Sequence, residues 1–163
     1  MSQTDYFLKI DGVEGESKDQ KLPGQLEIES WSWGETNAGS FVQGTGGGKG
    51  KVAMQDFHFT VRRSKASPVL FMFCATGKHI PTAKLSLRRA GGDTAPEVYE
   101  EWTFTDCLIS SYQTGGSGGD VLPMDQVSFN FAKVEFGHKA QKEDGSLDSE
   151  VKHGYDLKQS AKV

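Results

Sequence analysis

The sequence predicts a mainly β protein, a β-barrel of two packed antiparallel sheets with one short α-helix. Three observations carry this reading. Period-two alternation of apolar and polar residues recurs along the chain. Glycine-rich punctuation falls between the alternating stretches. One segment alone has the start and stop signals of a helix. The chain has 163 residues, a single-domain length, so residues 1–163 are read as one domain.

The elements follow in order. Tyr6, Leu8 and Ile10 alternate with Phe7 and Lys9 in a first strand, closed by Asp11-Gly12. Leu26 and Ile28 alternate with Glu27 and Glu29 after the Pro23-Gly24 turn. Phe57, Phe59 and Val61 alternate with His58 and Thr60. Ser67-Pro68 then opens an apolar run that ends at Gly77, with Ser67 as the N-cap, Pro68 as the first helical residue and Gly77 just past the end. This helix of about nine residues is apolar nearly all round. It is therefore expected to be largely buried, either against the barrel or with its outer side against another subunit. Ala83, Leu85 and Leu87 form the next pattern, then Trp102 and Phe104, then Val127, Phe129 and Phe131. Residues 139–150 read as a solvated polar connection. Val151, His153, Tyr155 and Leu157 read as a last strand with one buried face.

Parity adds a further constraint. The large apolar positions switch from even to odd within 26–33 and within 52–61, and from odd to even within 127–136. A pleated strand cannot put both parities on one face. Bulges at barrel corners account for this, or else second faces are buried in an oligomer.

Composition excludes several function classes. The net charge is −4, with 18 basic and 22 acidic residues, so the basic surface that nucleic-acid binding needs is missing. Arg62-Arg63 and Arg88-Arg89 read as solvated strand ends. Cys74 and Cys107 read as reduced, buried thiols. The N-terminal residues show no secretory signal, and the longest apolar run, 69–75, is far short of the ~20 residues that span a bilayer. Synthesis and folding in the cytoplasm are expected, without membrane insertion.

Motifs that resemble catalytic ones fail in context. The 44–50 segment, Gly44-Thr45-Gly46-Gly47-Gly48-Lys49-Gly50, lacks the first glycine and the final hydroxyl of a phosphate loop, and no helix-forming run follows. It reads as a long loop that orders on contact. Gly115-Gly116-Ser117-Gly118-Gly119 matches the nucleophile elbow literally, but no helix follows Ser117. His58, His79, His138 and His153 have no metal-ligand spacing. No catalytic residue, metal or cofactor is expected. A monomeric barrel with a ligand in its lumen and a serine hydrolase using Ser117 stand as the competing readings.

The remaining features form an ordered set. It comprises the Val13–Asp19 stretch after the first strand, Trp31-Ser32-Trp33-Gly34, the 44–51 glycine segment, Gly77-Lys78-His79, Arg89-Ala90-Gly91-Gly92, Ser117 in its glycine loop, and Phe131-Ala132-Lys133-Val134. In order and spacing, across the whole chain, this set resembles the haemolysin-coregulated proteins (Hcp) of bacterial type VI secretion. The resemblance implies a barrel like that of phage tail-tube subunits. It also implies homohexameric rings that stack into a tube, and export through that system without a signal peptide. The partners it implies are further copies of the chain, the sheath and spike components of the apparatus, and small effectors carried in the channel. It assigns Ser32 to the channel wall and to effector binding; the pleat then turns the flanking Trp31 and Trp33 the other way. It assigns Gly44, Gly46, Gly47, Gly48 and Lys49 to a loop that contacts neighbouring subunits or rings.

Overall fold

The alternating segments are strands of one antiparallel sheet that closes on itself. A computed structural model describes residues 4–39, 51–89, 96–119 and 122–163. Its elements are β1 (Thr4–Ile10), β2 (Leu26–Ser32), β3 (Glu35–Asn37), β4 (Val52–Met54), β5 (Phe57–Arg62), α1 (Ser67–Thr76), β6 (Ile80–Arg89), β7 (Val98–Gly115), β8 (Met124–Asn130), β9 (Lys133–Gln141), β10 (Leu147–Asp156) and β11 (Ala161–Lys162). The strand order is β11-β10-β9-β7-β6-β1-β2-β5-β8, and β7 also pairs with β8. Strands β7, β6, β1, β2, β5 and β8 therefore form a closed barrel, and β9, β10 and β11 extend from it as a wing. Closure removes the exposed edges that an open sheet would present.

Closure depends on β7. Its first half pairs with β9, from Glu100 to Thr105. Its second half pairs with β8, from Leu108 to Gly115. The exchange of partners falls at Asp106, which has φ +57°. Aspartate tolerates this left-handed backbone better than a bulky residue does. His79 Nε2 lies 3.0 Å from one Asp106 carboxylate oxygen, and Lys158 Nζ donates to the other at 3.4 Å. The His79 bond first, and Lys158 second, hold the Asp106 carboxyl below the usual carboxylate range.

The parity switches resolve within the chain. In β2 the register against β5 shifts between Ile28 and Ser30, a bulge that turns Trp31 to the same face as Phe59. The switch in 52–61 is a change of strand, because β4 pairs with β3 in a separate two-stranded ribbon and β5 belongs to the barrel. The switch in 127–136 falls between β8 and β9. The buried second faces considered as an alternative are not needed to explain any of the three.

The barrel interior is aromatic at its centre. Phe57, Phe59, Phe104 and Phe129 are all buried. Phe57 lies 5.0 Å from both the Phe104 and Phe129 ring centroids, and Trp31 stacks on it at 5.8 Å. The outward face of β1 is covered too, by the connection from β1 to β2. Arg88 of β6 lies over the Phe7 ring at 4.7 Å and donates to Asp19 of that connection at 2.7 Å. The Arg88 bond holds the Asp19 carboxyl well below its ordinary range. Gly15 permits the close return of this connection. A Cβ there would lie 2.3 Å from the Gln25 carbonyl oxygen, inside any tolerable contact.

Several expectations change. The helix is one residue longer at its start, and the N-cap position is Ala66. The Ser67 hydroxyl instead donates to buried Asp125 at 2.5 Å. Gly77 does end the helix, with φ 66° and its N–H bonded to the Phe73 carbonyl. The helix is not largely buried in the isolated chain. Ser67 and Leu70 are buried, while Phe71 is 54% and Met72 51% exposed. The barrel strands supply most of the core, and α1 packs only one side against it, through Leu70 with Val69, Phe73 and Cys74 beside it. The 139–150 segment is not a solvated loop but a hairpin, with Lys142 N–H bonded to the Ser146 carbonyl and Gly145 at φ 89°. Strand β10 is mostly exposed, because β9 and β10 stand outside the barrel, and Val151 is 65% exposed. Cys107 is buried as expected, but Cys74 is only half-buried.

Candidate functional site: a neutral polar sheet face around Ser32

The pleat of β2 places Ser32 opposite its two tryptophans. Trp31 pairs with Phe59, and Ser32 pairs with His58. Trp31 and Trp33 join the aromatic cluster, where Trp33 meets Trp102 edge-on at 5.5 Å. Ser32 is exposed on the outer face of the barrel wall.

Register then extends this position across four strands. His58 pairs with Ser128, and Ser128 with Ser111. One row therefore runs Ser32, His58, Ser128, Ser111. Two residues along, Ser30 pairs with Thr60, Thr60 with Gln126, and Gln126 with Gln113. Cross-strand partners share a face, so both rows look outward around a shallow depression of about 350 Å³. The hydroxyls are ordered by one another. Ser30 Oγ lies 2.6 Å from Thr60 Oγ1. Ser128 Oγ lies 2.8 Å from Ser110 Oγ and 2.6 Å from Ser111 Oγ, across a bulge in β7. The charges beside these rows are already engaged. Arg62 Nε donates to Glu29 at 3.0 Å, and Asp56 accepts the Ser110 hydroxyl at 2.5 Å.

The family resemblance names Ser32 but not its neighbours Thr60, Gln126, Gln113 and Ser111. Each occupies a polar position of an alternating strand. Which of them meet depends on pairing between strands far apart in the chain. Gly44, Gly46, Gly47, Gly48 and Lys49 lie outside the described residues.

A second feature was also missed. Asp125, on β8, is fully buried, with Ser67, Thr114 and Arg63 around it. Tyr112, on the same side of β7, has its hydroxyl pKa pushed up, by burial first and then by a hydrogen bond to Asp125. These contacts tie α1 to the barrel; the acid faces the interior side of the wall, away from Ser32.

The geometry offers no support for the nucleophile-elbow context. Gly115 ends β7, and the next described element is β8. Among the described residues, no group of three or more His, Cys, Asp or Glu side chains could hold a metal ion. No helix among them is long and apolar enough to cross a membrane. Burial pushes the Cys107 thiol up to about 12. At pH about 8 it is therefore a neutral, poorly nucleophilic thiol. Native-state alkylation at that pH is expected to modify Cys74 and spare Cys107, read by intact mass. Equal labelling of both would contradict the packing of β7 described above.

Elsewhere the surface carries two unlike apolar patches. One is a groove of about 570 Å³ between the β3–β4 ribbon and the β9–β10 wing, with Met54, Phe136 and Tyr155 on its walls. Phe136 stacks on Trp102 at 3.9 Å yet remains 39% exposed. The other is the outer side of α1, where Phe71 meets Tyr112 edge-on at 6.4 Å. Trp102 and Tyr112 are ten residues apart on β7, on either side of the partner exchange at Asp106, so the two patches are separate.

Comparison with known proteins agrees with this architecture along the chain. A family model described as "Type VI secretion system effector, Hcp" matches residues 7–138. The chain is 43% identical over 160 residues to Protein hcp1 of Pseudomonas aeruginosa, covering 98% of each. It is similar to the crystal structure of Hcp1 from Salmonella typhimurium, with TM-score 0.78, 32% identity, and 99% and 100% of the two chains covered. A solved structure described as a type six secretion system protein superposes with TM-score 0.90 at 28% identity, covering 99% of this chain and 100% of that one. The closed barrel with its single described helix, the matched family and the near full-length identity lead to one conclusion: the chain belongs to the Hcp family of type VI secretion proteins.

Proposed function

We propose that this chain is the subunit of a homohexameric ring, that such rings stack into the type VI tube, and that the Ser32 face lines the channel and holds small effectors. One domain, residues 1–163, supplies all of this. The chain is made in the cytoplasm and leaves the cell as part of the expelled tube, beside sheath and spike components. Gly44, Gly46, Gly47, Gly48 and Lys49 contribute contacts between neighbouring copies or rings. The role is structural and carrying, without catalysis.

The observation that carries the reading is the division of the surface. A ring closes through heterologous contacts, in which one patch of a subunit meets a different patch of the next. Two separate apolar patches suit that geometry. The groove beside Phe136 and the outer side of α1 are such a pair. The Ser32 face is polar and, among the described residues, open, as a channel wall in contact with water and passing cargo requires.

The test replaces Ser32 by a bulky residue. Ser32→Gln is expected to keep a particle near six times the 17.8 kDa chain mass by light scattering. It is expected to lose protection of a co-expressed small type VI effector by about tenfold, since a longer side chain displaces ordered water and partner groups. Loss of the particle itself would make Ser32 a structural position. Unchanged protection would remove it from the effector site.

A further inference from the structure

We infer that the Ser32 face accepts a neutral, hydrogen-bonding surface, rich in amide and hydroxyl groups, on the effector protein it carries, and disfavours charged surfaces of either sign. This rests on the reading of that face as the effector-facing wall.

The argument is one of charge complementarity. The two rows around Ser32 present hydroxyls, the Gln126 and Gln113 amides and one imidazole, and no carboxylate, ammonium or guanidinium. The charges that flank the rows lie outside them: Arg62 pairs with Glu29 at 3.0 Å, and Asp56 keeps its charge while accepting the Ser110 hydroxyl at 2.5 Å. A charged partner group set over the two rows themselves would lose hydration without meeting an opposite charge there. A neutral amide or hydroxyl exchanges water for an equivalent donor or acceptor, directly or through a bridging water. The hydroxyls are held by one another before any partner arrives, as in the Ser30–Thr60 pair at 2.6 Å, so little ordering remains for the moment of binding. The net charge of −4 therefore resides elsewhere on the chain. This surface makes steering by charge weak and discrimination by hydrogen-bond pattern strong.

Two variants and a salt series test this. The probe is a purified, labelled small type VI effector of the same secretion system, and binding to the assembled protein is measured at pH about 8. Affinity is expected to change less than about threefold between about 0.05 M and about 0.5 M salt. Gln126→Glu and Gln126→Lys are each expected to weaken binding by about tenfold, in the same direction, with particle mass unchanged. Opposite effects of the two variants, or a loss of more than about tenfold with salt, would overturn the inference. If Ser32→Gln abolishes binding in that same experiment, the effector-wall reading survives that outcome. Absence of binding by the unsubstituted protein would overturn both.

Discussion

Phe57→Ala is expected to cost about 4 kcal/mol of stability. Phe57 has no exposed surface. It touches rings from three other strands, Trp31 of β2, Phe104 of β7 and Phe129 of β8, at 5.0–5.8 Å between centroids. β2 and β8 flank β5, and β7 stands across the barrel from β2, so the surroundings cannot collapse into the cavity without opening the sheet. The loss therefore includes both the transfer term and most of the cavity term. Offset and edge-on ring contacts add about 0.5–1.5 kcal/mol each beyond burial. Urea titration at fixed protein concentration is the measurement, since assembly couples stability to concentration. A loss below about 1 kcal/mol would mean that the aromatic centre is not packed as described. Phe57→Leu is expected to recover more than half of the loss.

Asp125→Ala is expected to cost about 3 kcal/mol. The acid is fully buried. It accepts the Ser67 hydroxyl at 2.5 Å and the Thr114 hydroxyl at 2.7 Å, and Arg63 Nε approaches it at 3.6 Å. Removing it strands the buried Ser67 hydroxyl at the first turn of α1 and leaves Arg63 without its carboxylate. The effect should fall hardest on α1. A double-mutant cycle with Ser67→Ala is expected to return a coupling of about 1–2 kcal/mol. Additive losses from the two variants would mean that the Ser67–Asp125 bond contributes nothing to holding the helix. Hydrogen exchange of the Leu70 amide, bonded to the Ala66 carbonyl at 2.9 Å, gives an independent reading of the same tether.

Asp125 also shows how much the sequence discloses. It has the parity of Val127 and Phe129, so alternation alone turns it inward. A charge on the inward parity of a strand is a legible sign of a buried partner, although the partner's identity is not legible. The same logic placed Ser32 opposite Trp31 and Trp33, because the pleat acts within three consecutive residues. What alternation cannot supply is register between distant strands. His58 meets Ser128 only because β5 and β8 close the barrel, and that contact depends on β7 exchanging β9 for β8 at Asp106. A single φ of +57° at an aspartate leaves no pattern in composition. The helix differs from expectation for a related reason. Apolar residues on all sides predict burial, but α1 packs only one side on the barrel, through Leu70 and the Ser67–Asp125 bond, so Phe71 and Met72 remain exposed. The parity switches were legible as a problem and not as an answer, since a bulge and two changes of strand produce the same alternation as a doubly buried face.

The covering of those residues is where the fold meets the proposed function. The apolar outer side of α1, the groove beside Phe136 and the neutral face around Ser32 are three surfaces of different chemistry on one barrel. A closed ring would give each a distinct neighbour: one copy on either side, and cargo within. Electron microscopy of the purified protein tests this most directly. The expected result is ring-shaped particles with six-fold symmetry, an open centre, and the β2–β5–β8–β7 face with Ser32 turned toward that centre. Monomeric particles at micromolar concentration, or rings with Ser32 on the outer circumference, would contradict it.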